Sequence, residues 1–166
     1  MSESTCIKKC GCKFLKLTIK IASFKINLLE KAAPLVDFLI RLKMAAVFWS
    51  SGVNKLPSGF LGIGQGDWDT TLFLFEEEHP VPFLSTELAA YSGTFFEILC
   101  PILLVLGLGA RPAAFILIMM TAVIEFTYNS YPEHQYWALL LAVILFRGAG
   151  ILSVDFLIRK KFIGTK

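Results

Sequence analysis

Seven side chains that carry a charge, a titratable ring or an indole fall within or beside long apolar runs: Arg41, Trp49, Lys55, Glu97, Glu125, His134 and Trp137. A charge near the centre of a membrane-spanning helix costs about 2.5–3.5 kcal/mol on insertion scales, so a chain that keeps several must turn them toward a bundle interior or a cavity. Together they form a candidate intramembrane ligand or charge site, in which cations stabilise negative charge and Glu97 or His134 relays protons. His134 adds a titratable donor close to acidic residues, suited to a quinone head or a small anion. The alternative is purely structural. Ion pairs would then set helix register and depth, Arg147 and Lys43 would reach the surface along their apolar stems, and Tyr131 and Tyr136 would be interfacial belt residues.

The cysteines narrow the chemistry. Cys6, Cys10 and Cys12 crowd the basic N-terminal segment, and Cys100 stands alone in an apolar run. The trio could hold a soft metal as thiolates, but a zinc site wants four ligands and no histidine is nearby, so no metal site is expected. Reduced cytoplasmic thiols are the better reading, with Cys100 a small apolar packing residue. A four-helix thiol oxidase needs paired periplasmic cysteines, and no such pair occurs. Haem and flavin motifs are absent as well.

These residues need spanning elements to position them. With 55% hydrophobic and 17% charged residues among 166, the chain is too apolar for an ordinary soluble fold. A bilayer core about 30 Å thick takes roughly 20 helical residues. Four apolar segments meet that length, at about 34–56, 84–108, 111–128 and 135–154, and the expected fold is an all-α membrane protein, an antiparallel four-helix transmembrane bundle. Gly107, Gly109 and Pro112 suit a tight joint between the second and third helices. No signal peptide is expected at the start, MSESTCIKKCGCKFLK, which has no apolar core.

Charge sets the orientation. Seven lysines, from Lys8 to Lys31, precede the first span, and Arg111, Arg159, Lys160, Lys161 and Lys166 fall on the same side in a four-span arrangement. Both termini should therefore be cytoplasmic. The expected organisation is a basic cytoplasmic or interfacial segment over 1–33, the transmembrane domain over 34–158 and a basic tail over 159–166. Phe14, Leu17, Ile21, Phe24 and Leu28 fit an amphipathic interfacial helix between lysines, though Leu15, Leu17, Ile19 and Ile21 also alternate as a strand would. The long loop PSGFLGIGQGDWDTTLFLFEEEHPVPF should face the periplasm, and its aromatic and aliphatic residues suit an interfacial segment or a cover over the bundle mouth.

Within that frame Arg41, Glu97 and Arg147 lie in the middle to cytoplasmic half, and Lys55, Glu87, Glu125 and His134 toward the periplasmic end. Arg41, Phe48 and Lys55 recur every seven residues on one helix face, with Arg41 and Lys55 about 21 Å apart along the axis. The expected pairs are Arg41 with Glu97 in an inner layer and Lys55 with Glu87 or Glu125 in an outer one.

Several blocks resemble the bacterial DoxX family: W-S-S-G-V-N-K-L (Trp49 to Leu56), D-W-D-T-T-L-F-L-F-E-E-E (Asp67 to Glu78) and V-P-F-L-S-T-E-L-A-A-Y (Val81 to Tyr91). Three more follow: F-E-I-L-C-P-I-L-L-V-L-G-L-G-A-R (Phe96 to Arg111), Y-P-x-x-x-Y-W-A-L-L-L (Tyr131 to Leu141) and G-A-G-I-L-S-V-D (Gly148 to Asp155). Gly148-Ala149-Gly150 stands where that family usually has Gly-Pro-Gly, and the cysteine-bearing N-terminal extension is not a family feature. The resemblance implies a multi-pass bacterial inner-membrane protein. Some members form the membrane part of a thiosulfate:quinone oxidoreductase, and others work beside redox enzymes in oxidative-stress defence. The expected function is accordingly a redox-associated membrane subunit binding a quinone or similar lipophilic molecule. Its expected partners are the lipid bilayer and a soluble redox protein, with no nucleic acid. A non-catalytic scaffold for soluble redox or stress-defence proteins and a small-solute carrier are the alternatives, and the residues alone leave open whether the chain is itself an enzyme.

Overall fold

A computed structural model describes residues 3–77, 84–127, 132–162 and 164. Among these residues the secondary structure is helical: α1 (Glu3–Lys55), a 3-10 turn (Phe60–Gly62), α2 (Trp68–Glu77), α3 (Thr86–Leu106), α4 (Ala110–Thr127), α5 (Pro132–Arg147) and α6 (Val154–Phe162). Contacts divide the chain into two compact units, Met1–Val36 and Asp37–Lys166, and α1 runs through the boundary.

In the first unit the helical spacing prevails over the alternating pattern. Ile19, Phe24, Leu28 and Leu29 are exposed on it together with Lys20 and Lys25. Pro34, which has no N–H to give the helix ladder, lies two residues before the unit boundary.

In the second unit one core joins four helices. Met44, Ala45 and Phe48 of α1 pack with Cys100 and Leu104 of α3, Ala113, Ala114 and Leu117 of α4, and Leu141 and Ile144 of α5. Alanines on α4 allow close helix approach, as small residues do between spanning helices. The turn between α3 and α4 is tight because Gly107 takes φ 67°, which lets its N–H bond Leu104 O and the Leu108 N–H bond Leu103 O.

Among the described residues two helices, α3 and α4, are long and apolar enough to cross a membrane. Only 39% and 28% of their most apolar windows are buried, and Phe95, Ile102, Val105, Phe115, Met119 and Phe126 face outward, which is the inside-out pattern of a helix meeting lipid. The last expected span differs. The sequence pattern placed it over 135–154, whereas α5 ends at Arg147 because Gly148 turns to φ 84°, and a separate short helix, α6, begins at Val154.

The long loop holds a helix that hydropathy alone did not reveal. Asp67 caps α2, its Oδ2 accepting from the Thr70 N–H and hydroxyl, both at 3.0 Å. Phe75, a buried residue of α2, lies against Ala89, Ala90 and Gly93 of α3. A Cβ at Gly93 would stand 2.8 Å from the Phe75 ring, so glycine is what lets α2 dock there.

Candidate functional site

The best-formed polar group is the ion pair between Lys55 and Glu97. Gly52 brings α1 against α3: a Cβ there would sit 2.8 Å from Ile98 Cδ1 and 3.0 Å from Glu97 Cβ. Three residues further along α1, Lys55 Nζ donates to Glu97 Oε1 at 2.6 Å, to Oε2 at 2.7 Å and to Ser51 Oγ at 3.0 Å. Its three protons are thus all used. The Lys55 and Glu97 side chains are 12% and 3% exposed, and the ammonium lies 5.8 Å from the Phe75 ring centroid. Thr71 of α2 donates its hydroxyl to Lys55 O, tying α2 to the end of α1.

This pair corrects both expected pairings. Glu97 takes Lys55 and not Arg41, and Lys55 takes neither Glu87 nor Glu125. Side chains on a helix lean toward its N-terminus, so the long lysine stem folds back along α1 beside Ser51 and reaches the middle of α3. Glu87 is instead exposed in the first turn of α3, where a carboxylate complements the helix dipole.

The pair borders an apolar cavity of about 290 Å³ between α3 and α4, walled by Phe75, Phe96, Ile116, Met120 and Val123. Lys55 and Glu97 are the charged groups in its lining, and Phe115 and Met119, about half exposed, stand at its mouth on the outer face. One turn before Glu97, Thr94 is buried with its hydroxyl unpaired among the described residues. The wall residues carry no charge, so ionisable residue types in the sequence do not mark them. The small residues Ala89, Ala90 and Gly93, spaced to share one face of α3, are the available signal.

The other expected site residues fall into separate places. Glu125 of α4 and His134 of α5 meet at 2.9 Å, Oε2 to Nδ1. His134 lies 5.1 Å from the Trp137 ring, which in turn packs edge-on against Phe48 at 6.0 Å. Arg41 is buried at the other end of the core, donating to Leu104 O at 3.0 Å and to Leu152 O. It satisfies a carbonyl at the C-terminus of α3, a structural use of the charge. Trp49 borders a shallow cleft with Pro101, Ile102 and Val105, away from the Lys55 cavity. The seven residues thus do not converge on one site.

Arg147, expected to snorkel, is 56% exposed and donates to Asp37 Oδ2 at 3.0 Å. Lys43 and Tyr136 are exposed, and Tyr131 lies outside the described residues. Among the described residues no cluster of three or more His, Cys, Asp or Glu could hold a metal. The side chains of Cys6, Cys10 and Cys12 lie outside those described, while Cys100 is a fully buried free thiol.

The DoxX family model matches residues 36–130, more than half of the chain. No curated protein and no solved structure matches the chain at a significant level.

Proposed function

The chain belongs to the DoxX family of membrane proteins, and on that premise we propose that it spans the bacterial inner membrane four times and binds a quinone or similar lipophilic molecule in the Lys55–Glu97 cavity. The four spans would be the second half of α1 with α3, α4 and α5, the helices that share the core. At 1.5 Å per residue, the 16 residues of α5 cover about 24 Å, a shortfall that local thinning of the bilayer accommodates. The excess of lysines before Pro34 and the basic residues of α6 support cytoplasmic termini.

The observation that carries the reading is an apolar cavity, open on the lipid-facing side, whose charged lining is one buried ion pair. A quinone presents a flat apolar ring, two carbonyl acceptors and an apolar tail, so its ring suits walls of Phe75, Phe96 and Met120 and its tail a mouth at Phe115 and Met119. Of the three bonds that Lys55 makes, the one to the neutral Ser51 hydroxyl is the weakest and the one a ligand oxygen would replace. Glu97 then keeps Lys55 charged and in place. The apolar walls exclude water, which strengthens a hydrogen bond from the ammonium. When bound, a quinone would accept two electrons, supplied by a soluble redox partner, and two protons.

Lipid extraction of the purified protein followed by mass spectrometry tests this. The wild type should carry quinone in near-stoichiometric amount, and Lys55→Met/Glu97→Leu, which removes both charges and leaves no orphan, should fold yet lose it. A folded double variant that keeps its quinone, or a wild type with none, refutes the reading. In the second case, recovery of soluble partners that depends on residues 1–30 would point to the scaffold.

A further inference from the structure

A second cavity, of about 390 Å³, lies where α4, α5 and α6 meet, and its chemistry is opposite to that of the first. Arg111 reaches it from the first turn of α4, Arg147 from the last turn of α5 and Arg159 from α6. Part of its lining is bare backbone. Gly148, at φ 84°, lies under the Arg111 guanidinium, and a Cβ there would stand 3.2 Å from Arg111 Nε.

The carboxylates nearby are already engaged. Asp155 accepts from the N–H groups of Gly109 at 3.0 Å and Ala110 at 3.4 Å, capping α4, and Asp37 accepts from Arg147. Among the described residues no ion pair holds Arg111 or Arg159. Guanidinium groups converging on a concave site without an equal number of free carboxylates make a receptor for a multi-oxygen anion, and phosphate matches their fork geometry.

We propose that this pocket binds the phosphate of an anionic phospholipid headgroup. The same segment exposes Phe146, Ile151, Leu152 and Ile158, and two of these, Ile151 and Ile158, line the pocket itself. Acyl chains would cover those side chains, whereas free phosphate would satisfy the arginines and leave the apolar residues bare. Helix α6, with exposed Leu157 and Phe162 on either side of Arg159, Lys160 and Lys161, has the composition of an interfacial helix. The proposal rests on membrane residence and is independent of the quinone.

Native mass spectrometry of the full-length protein in neutral detergent, titrated with phosphatidylglycerol, phosphatidylcholine or inorganic phosphate, tests it. The wild type should retain one phosphatidylglycerol about tenfold more tightly than phosphatidylcholine, two basic contacts near a membrane surface being worth at least that factor. Arg111→Gln/Arg159→Gln should lose the preference. Lys25→Gln/Lys31→Gln, with equal charge removed from exposed positions outside the pocket, should keep it. Arg111 and Arg159 lie on the rim, so their variants should fold, and Arg111→Lys/Arg159→Lys should restore part of the preference. Inorganic phosphate that binds at millimolar concentration with the same dependence on Arg111 and Arg159, with no lipid preference, overturns the lipid assignment. Equal loss in the two Gln variants, or no preference in the wild type, overturns the pocket. Quinone content measured in the same samples should not change with Arg111 or Arg159.

Discussion

Removing one partner of the Lys55–Glu97 pair should harm the protein far more than removing both. Lys55→Met leaves the Glu97 carboxylate, 3% exposed, without the two bonds of 2.6 and 2.7 Å that satisfy it. An orphaned buried charge costs about 3–5 kcal/mol, whereas exchanging a buried pair for apolar groups of similar volume is often neutral or stabilising. Glu97→Leu leaves Lys55, which is 12% exposed, with the Ser51 hydroxyl alone and should cost about 1–3 kcal/mol. Lys55→Met/Glu97→Leu should then fall within about 1 kcal/mol of the wild type, and the cycle should return a coupling of at least about 3 kcal/mol. For a chain of this length the Lys55→Met loss corresponds to a fall of roughly 10 °C in melting temperature. Cys100 supplies the assay: with Cys6, Cys10 and Cys12 changed to Ser, its buried thiol reacts with a fluorogenic maleimide only on unfolding in detergent. Single-variant costs below about 1 kcal/mol, or costs that simply add in the double variant, would refute the argument that the pair is buried and mutually dependent.

Three further outcomes follow from the packing. Gly52→Ala sets a Cβ 2.8 Å from Ile98 Cδ1 and 3.1 Å from the Glu97 carbonyl carbon, so α1 must part from α3; overpacking of about 1–3 kcal/mol should outweigh alanine's helix preference of about 1 kcal/mol, and a rise in melting temperature would contradict it. Arg41→Met gives up two charge-assisted bonds, to Leu104 O and Leu152 O, each worth about 1.5–3 kcal/mol; the variant should expose Cys100 to maleimide at lower temperature while surface Lys43→Met has little effect. Asp155→Ala removes the cap on α4 and should cost about 0.5–2 kcal/mol, read as faster amide exchange at Gly109 and Ala110.

Much of the helical layout is legible from residue types. The turn at Gly107 and Gly109 and the apolar runs on either side mark α3 and α4 to within a few residues, because a positive-φ glycine ends a helix whatever surrounds it. Helix α2 was harder to read: its ten residues are too few for a spanning run, and their apolar face makes sense only against Ala89, Ala90 and Gly93. The cap at Asp67 was its clearest local mark.

The candidate site divides along the same line. Sequence alone identified buried-charge candidates, since Arg41 and Glu97 sit in apolar runs whatever their partners, and it identified DoxX membership through its ordered blocks. Which charge met which was a tertiary matter. Counting depth along each segment assigned Glu97 to Arg41, but the pairing depends on the register between antiparallel helices, and that is set by Gly52 fitting against Glu97 and Ile98. It depends also on Lys55 leaning back along its helix, while Arg41 is drawn to the carbonyls that end α3. Periodicity along one chain tells which face a residue occupies; only packing between helices decides what that face meets.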